Sequence, residues 1–351
     1  MSTALLGSSG SRVVLVLLVL LWVGGTGTAA YGQEVGAGAF SRLGFDAQGV
    51  ALGNALVAST SSDASPYYNP ALLPTASGQR VSGSAALLAY DRQLQSLEFT
   101  TPLGPTAGVG LGLIHGGVSD IDGRNADGVR TETLSTDEFA LSLSFGNRFG
   151  ERLSAGVSFT LYQSDVLPEA DPVRGFGLGL GLAVEVSSQL KLAARVTDLL
   201  AKYEWDTSSL NGNSRTDRFP VRLQMGGSYT LLDGRVELLG EVESRFVGRD
   251  RTVVDRVIPT SGGPRQETRT ESVLLHGLRG RLGASYRPID VLALRVGLDR
   301  VGVDGVEGLR PSAGFGLRQQ LGELDVRLGY AVALEPYVRT AMHLGTIEIF
   351  L

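Results

Sequence analysis

The chain contains no cysteine. That removes disulfides, thiolate metal ligation and cysteine nucleophiles in one step. Three histidines are present, His115, His276 and His343, and they stand far apart without ligand-spaced partners. No metal or other cofactor is expected. Charged residues make up only 19% of the 351 residues and the net charge is −5, which argues against a nucleic-acid partner. No G-x-S-x-G elbow and no arranged nucleophile, base or metal set is found, so no catalytic residue is assigned and an enzyme is not expected. Past residue 30 no stretch approaches 18 consecutive apolar residues, which excludes a spanning helix there.

The one long apolar run sits at the amino terminus. Arg12 precedes an apolar core, Val13 to Val23, followed by small residues from Gly24 to Ala30. The pattern reads as a secretory signal peptide over residues 1–32. Ala30-Tyr31-Gly32 fits the small-x-small cleavage rule and places the mature start near Gln33; Thr28-Ala29-Ala30 is a competing site. Without a cysteine after either site, a lipoprotein anchor is chemically impossible.

What the chain has in excess is glycine, 48 residues, and a period of two. Leu153, Ala155, Val157, Phe159 and Leu161 share one face, while Ser154, Gly156, Ser158 and Thr160 share the other. Fourteen such segments are expected: 81–90, 93–101, 105–115, 134–147, 150–164, 174–187, 189–200, 219–232, 235–248, 278–287, 290–300, 309–319, 322–334 and 337–351. The links between them alternate short and long, with long ones at 116–133, 201–218 and 249–277. Outer-membrane barrels have this asymmetry, and a sheet that enters lipid must close because edge amides find no partner there. The expected fold is an all-β, fourteen-stranded antiparallel transmembrane barrel over 81–351 in the bacterial outer membrane, with membrane lipid around it.

Two features concern the lumen. Gly177, Gly179 and Gly181 alternate with Leu178, Leu180 and Leu182, so a row without side chains faces inward. It serves either strand bending or space for a plug or ligand. The expected inward charges are Lys191, Arg195, Glu237, Glu241, Glu243, Arg279, Arg281, Arg295, Asp299, Asp325 and Arg327. Their mixed signs imply an internally paired wall. Asp120-Ile-Asp122-Gly123 fails as a calcium loop because Arg124 stands where Asp or Asn is needed.

Residues 33–80 do not alternate. They are small-residue rich and interrupted by proline, which reads as a compact plug ahead of the barrel. Gly44-Phe-Asp-Ala-Gln-Gly-Val-Ala-Leu-Gly-Asn-Ala55 and Asp63-Ala-Ser-Pro-Tyr-Tyr-Asn-Pro-Ala71 resemble the PorV/PorQ group of outer-membrane proteins, within the wider FadL-like long-chain fatty-acid transporter superfamily. Val196 to Trp205, followed by Phe219-Pro220, resembles the same group. The resemblance implies an amino-terminal hatch folded inside the barrel, with Gly53, Asn54, Asp63, Asn69, Pro70 and Ala71 as its motif residues. It implies service to type IX secretion as the first role: receiving cargo proteins with carboxy-terminal sorting domains and passing them to attachment machinery. The alternative is passive passage of hydrophobic small molecules or long-chain fatty acids. Tyr203 and Trp205, in the long link after 200, are expected either to contact cargo from outside or to anchor the barrel at the membrane interface.

Overall fold

Alternation with one apolar face produces strands wherever that face has lipid to meet, and the computed structural model shows them in an uninterrupted series. It describes residues 36–59, 65–166, 171–206, 214–260, 263–302, 308–335, 338 and 340–351, with no account of side chains over 249–273. The expected signal peptide and Asp63 lie outside the described residues.

The strands are β1 (Arg80–Leu87), β2 (Arg92–Leu103), β3 (Ala107–Arg124), β4 (Arg130–Phe149), β5 (Leu153–Asp165), β6 (Val173–Glu185), β7 (Leu190–Leu199), β8 (Lys202–Trp205), β9 (Arg215–Arg218), β10 (Val221–Leu231), β11 (Val236–Thr260), β12 (Gly263–Ile289), β13 (Leu292–Val301), β14 (Arg310–Leu321), β15 (Leu324–Leu334) and β16 (Ala341–Phe350). All but β8 and β9 form one closed antiparallel barrel of fourteen strands. Closure is made by β1, which pairs with β2 on one side and β16 on the other, Arg80 opposite both Thr100 and Phe350. No barrel edge is left for lipid to desolvate. The outward positions carry Leu111, Leu141, Phe159, Leu180, Leu182 and Val296, all exposed. An apolar exterior on a closed barrel points to the bacterial outer membrane.

Two of the expected long loops are strand instead. The link at 116–133 is mostly the far ends of β3 and β4, and 249–277 belongs to β11 and β12, whose pairing runs on to Thr260 opposite Gly263. β11 pairs with β10 only up to Phe246, and β12 pairs with β13 only from Gly280 onward. Residues 247–260 and their partners therefore form a two-stranded ribbon, on the order of 45 Å long, beyond the barrel wall. The apolar alternation that marks a strand in lipid fades along 249–277 in the sequence, while the backbone ladder continues.

The third long link, 201–218, holds the separate hairpin β8–β9. Asp198 and Leu200 both take positive φ, 61° and 67°, and the β6–β7 register shifts beside them. The chain leaves the wall at this kink. Asp198 is held there by the Tyr162 hydroxyl, which donates to it at 2.7 Å, and by Arg222 Nε at 2.9 Å.

Candidate functional site

Residues 36–59 and 65–79 lie inside the barrel. The segment is built from a 3-10 helix (Ala39–Arg42), one short helix α1 (Ala47–Ala51) and a second 3-10 helix (Pro70–Thr75). Asp46 caps α1, accepting from the Gly49 N–H at 2.6 Å. Gly53 and Asn54 then follow with φ of 63° and 60°, the left-handed step that glycine and asparagine take at least cost. Gly53 also needs to be glycine for space, since a methyl there would sit 2.7 Å from the Leu298 carbonyl oxygen in β13. Asn54 accepts from the Tyr68 hydroxyl at 3.1 Å. Burial, with the Asp46 carboxylate next, holds the Tyr68 phenol well above its ordinary pKa, so it stays protonated and remains a donor.

Asn69 is fully buried. Its Oδ1 accepts from the Ala71 N–H at 3.0 Å, the local turn that Asn-Pro implies, and Pro70 occupies the start of the second 3-10 helix. Its Nδ2 donates to the Val57 carbonyl at 2.9 Å, tying two parts of the segment together. Ala71 is buried against the wall with Leu72, Ala183 and Ala193. One member of the inward glycine row, Gly181, and Gly156 on the strand beside it have a physical role. A methyl at Gly181 would lie 2.1 Å from Asn69 Oδ1, and one at Gly156 would lie 2.4 Å from the Pro70 carbonyl carbon. Gly156 and Gly181 are where the wall admits the inner segment, whereas a methyl at Gly177 or Gly179 would meet Tyr162 or Ser158 of the neighbouring strand.

Charge fastens the segment elsewhere. Glu241 Oε2 accepts from the Val57 N–H at 3.2 Å, and Gln224 donates to its other oxygen at 2.9 Å. Arg281 bridges Glu241, Glu243 (2.8 Å) and Asp299 (3.1 Å), while Arg279 and Arg245 also reach Glu243. This paired ladder on β11–β13 is what the mixed inward charges imply. On the far side Arg80 pairs with Glu98 and with Glu348, and Ser65 donates to Glu98 at 2.5 Å. The roles of Asp198, Arg222, Arg80 and Glu98 are not legible from the sequence, because each looks like an ordinary strand charge until the barrel closes.

Apolar contacts complete the seal. Phe40, Phe45, Val50, Leu52 and Tyr68 of the segment pack in one cluster with Leu94, Ile114, Met342 and Leu344 from the wall. Tyr203 is 2% exposed and stacks edge-on against Phe219 and Trp205. It therefore faces inward, over Gly175 of β6, rather than outward to cargo or lipid; Trp205 is half-buried beside it. Burial, with Glu138 next, raises the Tyr203 phenol.

The open volumes have a different character. One, about 310 Å³, lies at the short-turn end and is lined by Arg235, Arg287, Arg295, Arg318 and Arg327 together with Asp46, Glu237, Asp290 and Glu348. A second, about 40 Å³, is lined by hydroxyls and charges together with Pro66, Ile114, Ala140 and Leu178. The apolar side chains of residues 36–59 and 65–79 named above are packed against the wall, and the spaces beside them mix polar and apolar lining.

No protein-family model matches the sequence, and no curated protein does. Solved structures do match. The Pseudomonas putida toluene transporter TodX aligns with a TM-score of 0.57 at 14% identity, over 87% of this chain and 96% of that one. The CymD monoaromatic hydrocarbon channel gives 0.56 at 14% identity over 88% and 96%, and a Pseudomonas aeruginosa FadL homologue gives 0.56 at 11% over 87% and 97%. The fold is that of outer-membrane hydrocarbon channels. At these identities the likeness concerns architecture, and it does not single out the PorV/PorQ group.

Proposed function

We propose that the protein is a passive outer-membrane channel for small hydrophobic molecules, held closed by the inner segment, residues 36–59 and 65–79. The observation that carries the reading is the inner wall itself. A water-filled barrel is polar inside, whereas this wall sets Leu94, Ile114, Met342 and Leu344 against the inner segment. A permeant with apolar surface replaces those contacts as the segment shifts. The proteins that share the fold, named as a toluene transporter and monoaromatic hydrocarbon channels, support the same reading.

The test is uptake of an apolar fluorescent probe, N-phenylnaphthylamine, by cells that express the barrel. Uptake above that of cells making an unrelated barrel is expected. Equal uptake overturns the channel. Deleting the gene and comparing surface, secreted and periplasmic proteins addresses the role implied by the PorV/PorQ resemblance: accumulation of sorting-domain proteins in the periplasm, with uptake unchanged, replaces the channel by a secretion function.

A further inference from the structure

Between its tip and Gly280, β12 pairs with β11 on one side and with no strand on the other among the described residues. An open strand edge is a template for pairing with another chain. The two edges of the ribbon differ. That of β11 is broken by a register shift between Val254 and Arg256, an irregularity that spoils edge pairing. That of β12 runs without a shift from Gly263 to Gly280.

Charge orders the sequence along the β12 edge. Arg265, Glu267, Arg269 and Glu271 share one face, and Gln266, Thr268 and Thr270 share the other. The signs are antisymmetric about Thr268. Turned end for end against a copy of itself, with Thr268 opposite Thr268, the edge sets Arg265 opposite Glu271 and Glu267 opposite Arg269, each pair twice. A slip of two residues in either direction sets like charges opposite, and so does in-register parallel pairing. Opposed unlike charges stabilise a strand pair and like charges destabilise it, so one register is selected. Pro264, which has no N–H to offer, ends the pairable stretch at the tip. The ribbon's own register adds a second observation. Glu267 and Glu271 stand opposite Arg256 and Arg251 of β11, whereas Arg265 and Arg269 stand opposite Ile258 and Val253. A second copy brings an acidic position opposite each of these two arginines.

We propose that two copies of this chain join through this edge, β12 against β12 and antiparallel, with the two-fold axis at Thr268. The contact is isologous and closes at two copies. The barrels stand at opposite ends of the joined ribbon, a geometry that connects copies in facing membranes. It holds whatever the barrel passes.

The experiment uses the whole barrel in detergent. Sedimentation over a concentration series is expected to show a monomer–dimer equilibrium that weakens with salt. Arg265→Glu with Arg269→Glu, or Glu267→Arg with Glu271→Arg, raises the dimer dissociation constant by about tenfold or more, and mixing the two variants restores the dimer. Thiols read the register, since the chain has no cysteine of its own. Thr268→Cys places its Cα about 4.5–5.5 Å from its counterpart, within disulfide range, and cross-links on mild oxidation. Thr270→Cys lies roughly 13 Å from its counterpart and does not. Vesicles carrying the barrel cluster, and vesicles carrying Arg265→Glu with Arg269→Glu stay apart. A monomer at every concentration overturns the contact. A dimer that both charge variants leave unchanged overturns it, as does equal cross-linking of the two thiol variants. Vesicles that stay apart while the protein dimerises in detergent overturn the facing-membrane geometry. If a charge variant does not fold, the two thiol variants decide.

Discussion

Gly156→Ala asks the inner segment to move by about the width of the clash. The added methyl lands 2.4 Å from the Pro70 carbonyl carbon and 2.6 Å from the Ala71 nitrogen, where ordinary contact begins at 3.4 Å. Both atoms are main chain, so no rotamer change relieves the overlap. The neighbouring wall cannot receive the displaced helix either, because Gly146 and Gly181 already touch the same Asn69-Pro70 corner. Overpacking of this kind costs about 1–3 kcal/mol. If the segment is what closes the barrel, the cost falls on the closed state alone and shifts the closed-to-open ratio by about 5–150-fold. The assay is ion conductance in planar bilayers, with heat-modifiable mobility confirming a folded barrel. Gly83→Ala is the control, since a methyl there meets nothing within 4 Å. Conductance in Gly156→Ala equal to that of Gly83→Ala, from equally folded protein, refutes the idea that the segment's seat on this wall sets the closed state.

Asn69→Ala removes the Ala71 and Val57 hydrogen bonds and is expected to lower the unfolding free energy by about 1–3 kcal/mol in urea titration; with Pro70→Ala added, permeability to bulky antibiotics rises, and unchanged permeability would count against a gating role for the turn. Arg281→Met leaves Glu241, Glu243 and Asp299 facing one another and should cost about 3–5 kcal/mol, with Glu243→Gln recovering part of the loss in a double-mutant cycle. Phe45→Ala opens space beside Tyr67, whose ring stacks on Phe45 at 5.3 Å, and should raise probe uptake while costing about 3–5 kcal/mol of stability; a stability loss with uptake unchanged would show that this apolar seam is only structural.

The barrel was legible because lipid enforces a clean rule: one face apolar, and the other free to vary. Phe139, Leu141, Leu143 and Phe145 obey it, and the structure exposes all four. The rule loses force once strands leave the bilayer, which is why the β11–β12 ribbon reads as loop. It also cannot foresee an inward turn such as the one at Asp198, which depends on Tyr162 and Arg222 from neighbouring strands. Glycine rows were ambiguous for a related reason. A missing side chain looks the same whether it bends a strand or admits another segment, and only Asn69 and Pro70 lying against Gly181 decide between them. Tyr203 illustrates the limit for sites: position in a long external link says nothing about direction, and packing on Phe219 turns it inward.

On the proposed reading, the apolar surface that would receive a hydrophobic permeant has to be located. It is present, but the inner segment occupies it. Burying Phe40, Phe45 and Leu52 against the wall contributes about 1.5–3 kcal/mol each. A permeant of comparable apolar area can repay that loss when it takes their place, whereas water or an ion cannot. If the barrel passes hydrophobic molecules as proposed, selectivity arises without a preformed apolar tunnel, because opening is coupled to the presence of something that satisfies the wall. The polar contacts serve the complementary purpose. Glu241 on Val57 and Arg195 on Tyr67 and Tyr68 fix where the segment returns. The apolar seam sets what can displace it.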